Sequence, residues 1–457
     1  MTELLPLISG RSEDDVLAWR AQGPVTVGQY LIDVRTLADW LPAGRWVINL
    51  CEDRYRFAVL LGACAITGRV SLQPASQSLQ TLQQLARDYD GAYVLGDVGV
   101  DLPGLPAHAW PAMDKLSRTR HVGAAVPAVP AERVVAILFT SGSTGQPQPH
   151  AKTWGRLVAN GRAEAEALGL TGQSHVLVGT VPAQHSYGFE STFLLALHGG
   201  CTFWAGKPFY PQDLAEALAA VPRPRLVVTT PYHLSSVMVS DVALPPVDRW
   251  LSATAPLSEE LAQRVEAATG APVHEIYGST ESSQLATRRT TEGAVWTLMP
   301  GVRLEQEGDT TYAMDGHVEG RVALADIIGL QSPPGRFVLH GRHADVVNLA
   351  GKRTSLAYLN HQLCAIEGVR EAAFFLPQED SESRVARLVA FAVVAPGCSH
   401  ASLMAALRQR VDAIFLPRPL VLVPALPRNH TGKITRDSLE QLYAEHLAGG
   451  QRGRDAR

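Results

Sequence analysis

Apolar runs of strand length alternate with helix-periodic stretches along the first three quarters of the chain. Arg45 to Leu50 reads as a strand, Arg54 to Thr67 as a helix and Val70 to Leu72 as the next strand. Further strands are predicted at Val134 to Phe139, Val176 to Val181, Leu226 to Thr230 and Val273 to Ile276. Ser258 and Gly270 bracket a predicted helix: a serine hydroxyl caps free amides at the N-terminus, and glycine suits the turn after the C-terminus. The alternation predicts an α/β fold of parallel or mixed sheets covered by helices.

The pattern changes character near Gly335 to Asp345. Beyond it Val346 to Leu349, Leu356 to Ile366, Val369 to Leu376 and Arg384 to Val394 predict a compact α+β unit. A chain of 457 residues exceeds what one core usually organises, which agrees with two domains. The expected division is a large N-terminal domain over 1–341, a hinge over 342–345, a small C-terminal lid over 346–448 and a disordered tail over 449–457. The tail carries Gly and Arg without apolar positions.

Composition narrows the function. The chain is 46% hydrophobic and 18% charged, with no apolar run near the roughly 18 residues of a membrane span. Met1 to Asp15 is acidic where a secretory signal would be basic, so the expected location is cytoplasmic. Five scattered cysteines form no CxxC pair and read as buried free thiols. A formal net charge of −4 gives no general attraction to nucleic acid or anionic lipid. A small-molecule partner fits best.

The strongest local signal is the strand ending at Phe139 followed by Thr140, Ser141, Gly142, Ser143, Thr144 and Gly145. Glycines let backbone approach a ligand closely, and hydroxyl and amide groups donate to phosphate oxygens. By itself the segment reads first as an ordinary flexible turn. It is neither the GxxxxGK[ST] phosphate loop nor a dinucleotide fingerprint.

The loop resembles the phosphate loop of the adenylate-forming superfamily, which holds acyl- and aryl-CoA ligases, peptide-synthetase adenylation domains and luciferase. Other segments follow in that superfamily's order. Pro182-Ala183-Gln184-His185-Ser186-Tyr187-Gly188 resembles its P-x-x-H-x-x-G element and Ser252 to Leu257 its G-G-A-P-L turn. Tyr277-Gly278-Ser279-Thr280-Glu281 matches Y-G-x-T-E, and Gly432-Lys433-Ile434 matches its G-K-I. The resemblance spans roughly Arg45 to Leu439.

It implies ATP-dependent activation of a carboxylic acid as acyl-adenylate, then transfer to a thiol, with Mg²⁺ as cofactor. Two anions must meet, so positive charge and positioning are required. Thr140 to Gly145 would hold the phosphates, Thr280 the α-phosphate and Glu281 the Mg²⁺. Tyr277 would lie against adenine, Asp326 would accept from both ribose hydroxyls, and Arg342 would add a contact beside the hinge. Lys433 would bring charge to the reacting centre from a mobile small domain, and His185 would gate the thiol's tunnel. Tyr187, Tyr232, His233, Thr254 and Ser279 would line the acid pocket.

The chain also departs from the pattern. Gln148 replaces the usual loop lysine, leaving Lys152 to substitute by reaching back, and Ala344 stands at the hinge position. A weakly active binding homologue, an adenylation-only enzyme and a medium- or long-chain acyl-CoA synthetase therefore stay open. The aromatic and histidine residues at the pocket positions favour a compact aromatic acid, with Thr254 narrowing one wall. A further likeness to stand-alone ligases of aryl polyene and xanthomonadin pigment pathways implies 4-hydroxybenzoate or 4-coumarate. The acceptor it implies is CoA or a trans-acting acyl carrier protein.

Overall fold

A computed structural model describes residues 2–74, 76–97, 102–116, 123, 125–141, 147–342, 346–349, 352–377, 387–428 and 434–452. It divides into two compact units. The first comprises Met1–Glu305, Tyr312–Ala323 and Ser332–Arg336, and the second Gln306–Thr311, Leu324–Gln331 and Phe337–Arg457.

Two sheets organise the first unit. One has the strand order Pro147–Thr153, Val134–Ser141, Val70–Gln73, Trp46–Leu50, Tyr93–Gly96, Ala107–Ala109. All neighbours are parallel except the hairpin of the first two, which closes on either side of the glycine-rich loop. In the other, Val273–Ser279, Arg249–Ser252, Arg225–Thr229, Val176–Gly179, Thr202–Trp204 and Val16–Arg20 run parallel in that order. Parallel strands need covered faces. The helix Glu259–Thr269 shows how the cover is built, with Ala262 and Val265 entering a core that contains Val227, Trp250 and Val273. As its sequence predicts, Ser258 caps it by accepting from the Leu261 amide, and Gly270 ends it in the left-handed conformation.

In the second unit Val369–Phe375 pairs antiparallel with Val389–Val394, which pairs parallel with Leu420–Leu422. Helices Leu356–Cys364 and His400–Arg408 pack Leu359, Leu363, Leu403 and Leu407 against this small sheet. This is the α+β organisation expected there.

Three expectations change. Residues 306–311, 324–331 and 337–341 fall within the predicted first domain but cluster with the second unit, because the chain passes between the units several times. Local contacts tie them there: Leu324 N–H donates to Thr311 O, and Gln306 Nε2 donates to Ile328 O. The supposed tail from 449 is helical as far as Arg452, continuing Arg436–Arg452. Reciprocal Thr435 and Ser438 bonds cap the start of that helix and an Arg436–Glu440 pair supports its first turn. Finally, Cys51, Cys64 and Cys201 are buried free thiols, but Cys364 is exposed and Cys398 partly so.

Candidate active site

Four sequence-predicted segments lie at the C-terminal ends of four adjacent parallel strands. Val176–Gly179 leads to Pro182 to Gly188, and Arg225–Thr229 leads to the helix Pro231–Val239 with Tyr232 and His233. Arg249–Ser252 leads to the turn with Thr254, and Val273–Ser279 carries Tyr277 into Thr280 and Glu281. Open α/β sheets bind their ligands outside this end of the strands.

The glycines of two motifs have a steric cause. A Cβ on Gly188 would lie 2.0 Å from the Pro182 carbonyl oxygen, and one on Gly278 would lie 2.3 Å from that of Ser283. Both loops close on themselves too tightly for a side chain. Tyr187 is buried and donates its hydroxyl to Leu251 O at 2.8 Å, and burial pushes its pKa well above the ordinary value. His185 sits half-buried at the N-cap position of the short helix Ser186–Gly188, which runs on into π-helical turns over Phe189–Leu194. Tyr232 is exposed and its ring meets His233 edge-on at 5.4 Å. His233 is buried with Nδ1 2.9 Å from Thr230 Oγ1, and burial lowers its pKa to about 4, so its ring is neutral at pH 7. Thr254 is exposed, with φ at +78°.

The nucleotide-binding candidates of this unit meet around His150. Its Nε2 lies 3.1 Å from Thr140 Oγ1 and 3.7 Å from Glu281 Oε1, bringing the start of the glycine loop to the Y-G-x-T-E segment. Burial raises the Glu281 pKa, but the backbone, the Ser279 hydroxyl, His150 and Lys152 outweigh it, and the carboxyl titrates below its usual range. Ser279 and Ser282 exchange hydrogen bonds across the loop, and the Tyr277 ring packs 5.8 Å from that of Trp296. Thr280 is half-buried. Asp326 opens the strand Asp326–Gln331 and Arg342 closes Arg336–Arg342, both in the second unit. Gly142, Ser143, Thr144, Gly145, Ala344 and Lys433 lie outside the described residues, as do the side chains of Ser141 and Arg342.

Sequence reasoning missed a buried polar layer behind these loops. Lys152 does not reach back as a flexible surface cation: it is 1% exposed, and its Nζ donates to Ser283 Oγ at 2.8 Å. Glu190 is buried and accepts from Ser186 Oγ at 2.8 Å, while Gln284 donates to Ser191 at 2.7 Å beside a fully buried Glu164. Arg54, also buried, donates to the carbonyls of Gly179, Val181 and Gly206 and ties the Pro182 segment to the first sheet's helix. The alternation of His150 and Lys152 on one strand was the available signal.

The pattern that defines the AMP-binding enzymes matches residues 29–323. The chain belongs to the AMP-binding enzyme family. A 4-coumarate–CoA ligase of Rhodobacter capsulatus is 31% identical over 308 residues, 66% of this chain and 75% of that protein. A salicylyl-CoA synthase / salicylate adenylyltransferase of a Streptomyces species is 26% identical over 76% of this chain and 69% of its own. ATP-bound MatB from Rhodopseudomonas palustris shares the fold with a TM-score of 0.80 at 20% identity, covering 95% of this chain and 97% of MatB. This AMP-binding enzyme is thus an AMP-forming acid–thiol ligase of the adenylate-forming superfamily. Among the described residues no helix is long and apolar enough to cross a membrane.

Proposed function

We propose that the enzyme adenylates a compact aromatic acid, 4-hydroxybenzoate or 4-coumarate, and passes the acyl group to CoA or an acyl carrier protein. The reading rests on one convergence: Tyr187, His233, Thr254 and Tyr277 arrive on neighbouring strand ends, and His150 brings Thr140 to Glu281 beside them. Planar rings suit a site walled by tyrosine and a neutral histidine. Relatives named for 4-coumarate and salicylate support the aromatic class.

The acid's carboxylate attacks the α-phosphate and pyrophosphate leaves. In this reading Thr280 donates to an α-phosphate oxygen, and the thiol then displaces AMP from the acyl-adenylate. Glu281 fits Mg²⁺: it is a hard, ionised oxygen donor, partly exposed, of the sort that holds this cation together with substrate phosphates. No group of three or more His, Cys, Asp or Glu among the described residues could form a separate metal cage. When bound, the cation would neutralise charge between phosphate oxygens. Asp326 would serve the ribose, Arg342 a neighbouring oxygen, and Lys433 the charge that gathers as the carboxylate attacks.

Pyrophosphate exchange with a panel of acids tests the proposal. 4-Hydroxybenzoate and 4-coumarate should outrank benzoate, and all three should outrank octanoate and palmitate. A preference for palmitate refutes the aromatic reading and leaves adenylation standing. Adding CoA or phosphopantetheinylated carrier protein then separates the acceptors.

A further inference from the structure

We propose that Lys152 is a positioning residue of the adenylation site, its buried ammonium holding the Tyr277 to Ser283 segment, and with it Thr280 and Glu281, through Ser283. This rests on the role given above to that segment. Alternate residues of a strand share a face, so Gln148, His150 and Lys152 of Pro147–Thr153 point one way. His150 reaches Thr140 and Glu281, and one step further along Lys152 reaches Ser283.

The segment it holds is strained and self-contained. Ser283 has φ at +60°, a left-handed conformation that costs a non-glycine residue about 1–2 kcal/mol. Its carbonyl presses against Gly278, and Ser279 and Ser282 bond to each other between them. These contacts close the loop on itself, while the Lys152 bond ties its base to another sheet. A lysine is almost never fully buried unless paired, and Glu190, Glu319 and Glu281 supply the opposing charge. Glu319 is itself fixed by the Thr153 amide at 2.8 Å and its hydroxyl at 2.6 Å, so the strand end around Lys152 is held from both sides. In a chain whose loop lysine is Gln148, a fixed cation thus remains at the base of the site.

Lys152→Met alone would strand the Glu190 carboxylate and could unfold the protein for that reason. The informative variant is therefore K152M/E190Q, which removes both charges and keeps side-chain volume, with Ser283→Ala beside it to delete the hydroxyl that accepts from Lys152 and also bonds Glu190. Calorimetric binding of Mg·ATP and pyrophosphate exchange are measured on each, with the melting temperature as control. K152M/E190Q should melt near wild type yet bind Mg·ATP about tenfold more weakly and lose about tenfold in exchange kcat, with KM for the acid within about twofold. S283A should weaken Mg·ATP by about three- to tenfold. Wild-type Mg·ATP affinity in either folded variant overturns the proposal, and S283A decides alone if the double variant does not fold. Wild-type protein that binds no Mg·ATP would instead refute the role of the segment itself.

Discussion

The hydroxyl of Tyr187 donates to the carbonyl of Leu251 across 2.8 Å, joining the P-x-x-H-x-x-G segment to the strand that runs into the turn at Thr254. A hydroxyl proton committed to a backbone carbonyl is not available to a substrate. In the proposed acid pocket Tyr187 would therefore offer only a fixed ring wall, and any donor to a ring hydroxyl of the acid would come from another residue.

Tyr187→Phe keeps the ring and deletes the tether. The buried Leu251 carbonyl loses its side-chain donor, which costs about 1–2 kcal/mol of stability. KM for the aromatic acid should rise several-fold while KM for ATP stays put. Steady-state exchange kinetics with each substrate varied in turn check this, and an equal rise in both constants would argue against a pocket role.

Thr254 occupies a left-handed position where the superfamily's turn has glycine. A β-branched residue there stores about 1–2 kcal/mol, partly offset in a glycine variant by about 0.5–1 kcal/mol of unfolded-chain entropy. Thr254→Gly should therefore raise stability slightly, by up to about 1 kcal/mol. It should also widen the site, so exchange with bulkier ring acids should gain relative to 4-hydroxybenzoate. Denaturant titration and the acid panel read the two effects, and a destabilised variant with unchanged selectivity would contradict both.

Glu281→Gln preserves shape but removes the charge that a hard cation prefers. The Mg²⁺ concentration for half-maximal exchange should rise sharply, and Mg·ATP binding by calorimetry should weaken with it. Wild-type behaviour at limiting Mg²⁺ would assign the metal elsewhere.

Much of the frame was legible because its signals are local. The cap at Ser258, the terminus at Gly270 and the alternation of strand and helix all operate within a few residues, and the structure reproduces each. The order of the superfamily's motifs likewise led to Thr140 and Glu281, which meet through His150. The units' interleaving was not legible, since nothing in the composition of 306–311 or 324–331 marks a passage from one core to another. The buried charges were hidden for a different reason. A lysine or glutamate in a sequence reads as a solvated residue, and the partner that keeps Lys152 inside lies 131 residues away.

Glu164 belongs to that hidden layer and makes stability depend on pH. It is wholly buried, and desolvation raises its pKa from 4.5 to about 8, with the like charge of Glu190 adding to the shift and Ser191 and Gln284 opposing it. Tyr187 and Cys201 sense the same carboxyl but stay neutral, their own pKa values being raised by burial. Between pH 4.5 and 8 the unfolded chain releases this proton while the folded chain keeps it. The folded state then binds more protons, so stability falls as pH rises across that window and is complete only below it. Glu164→Gln removes the titration while keeping the shape of the neutral acid. The variant should match wild type near pH 4 and exceed it by an amount on the order of 4 kcal/mol near pH 8. Urea unfolding at several pH values measures the difference directly, and parallel curves for the two proteins would show that the Glu164 carboxyl is ionised in the folded enzyme throughout.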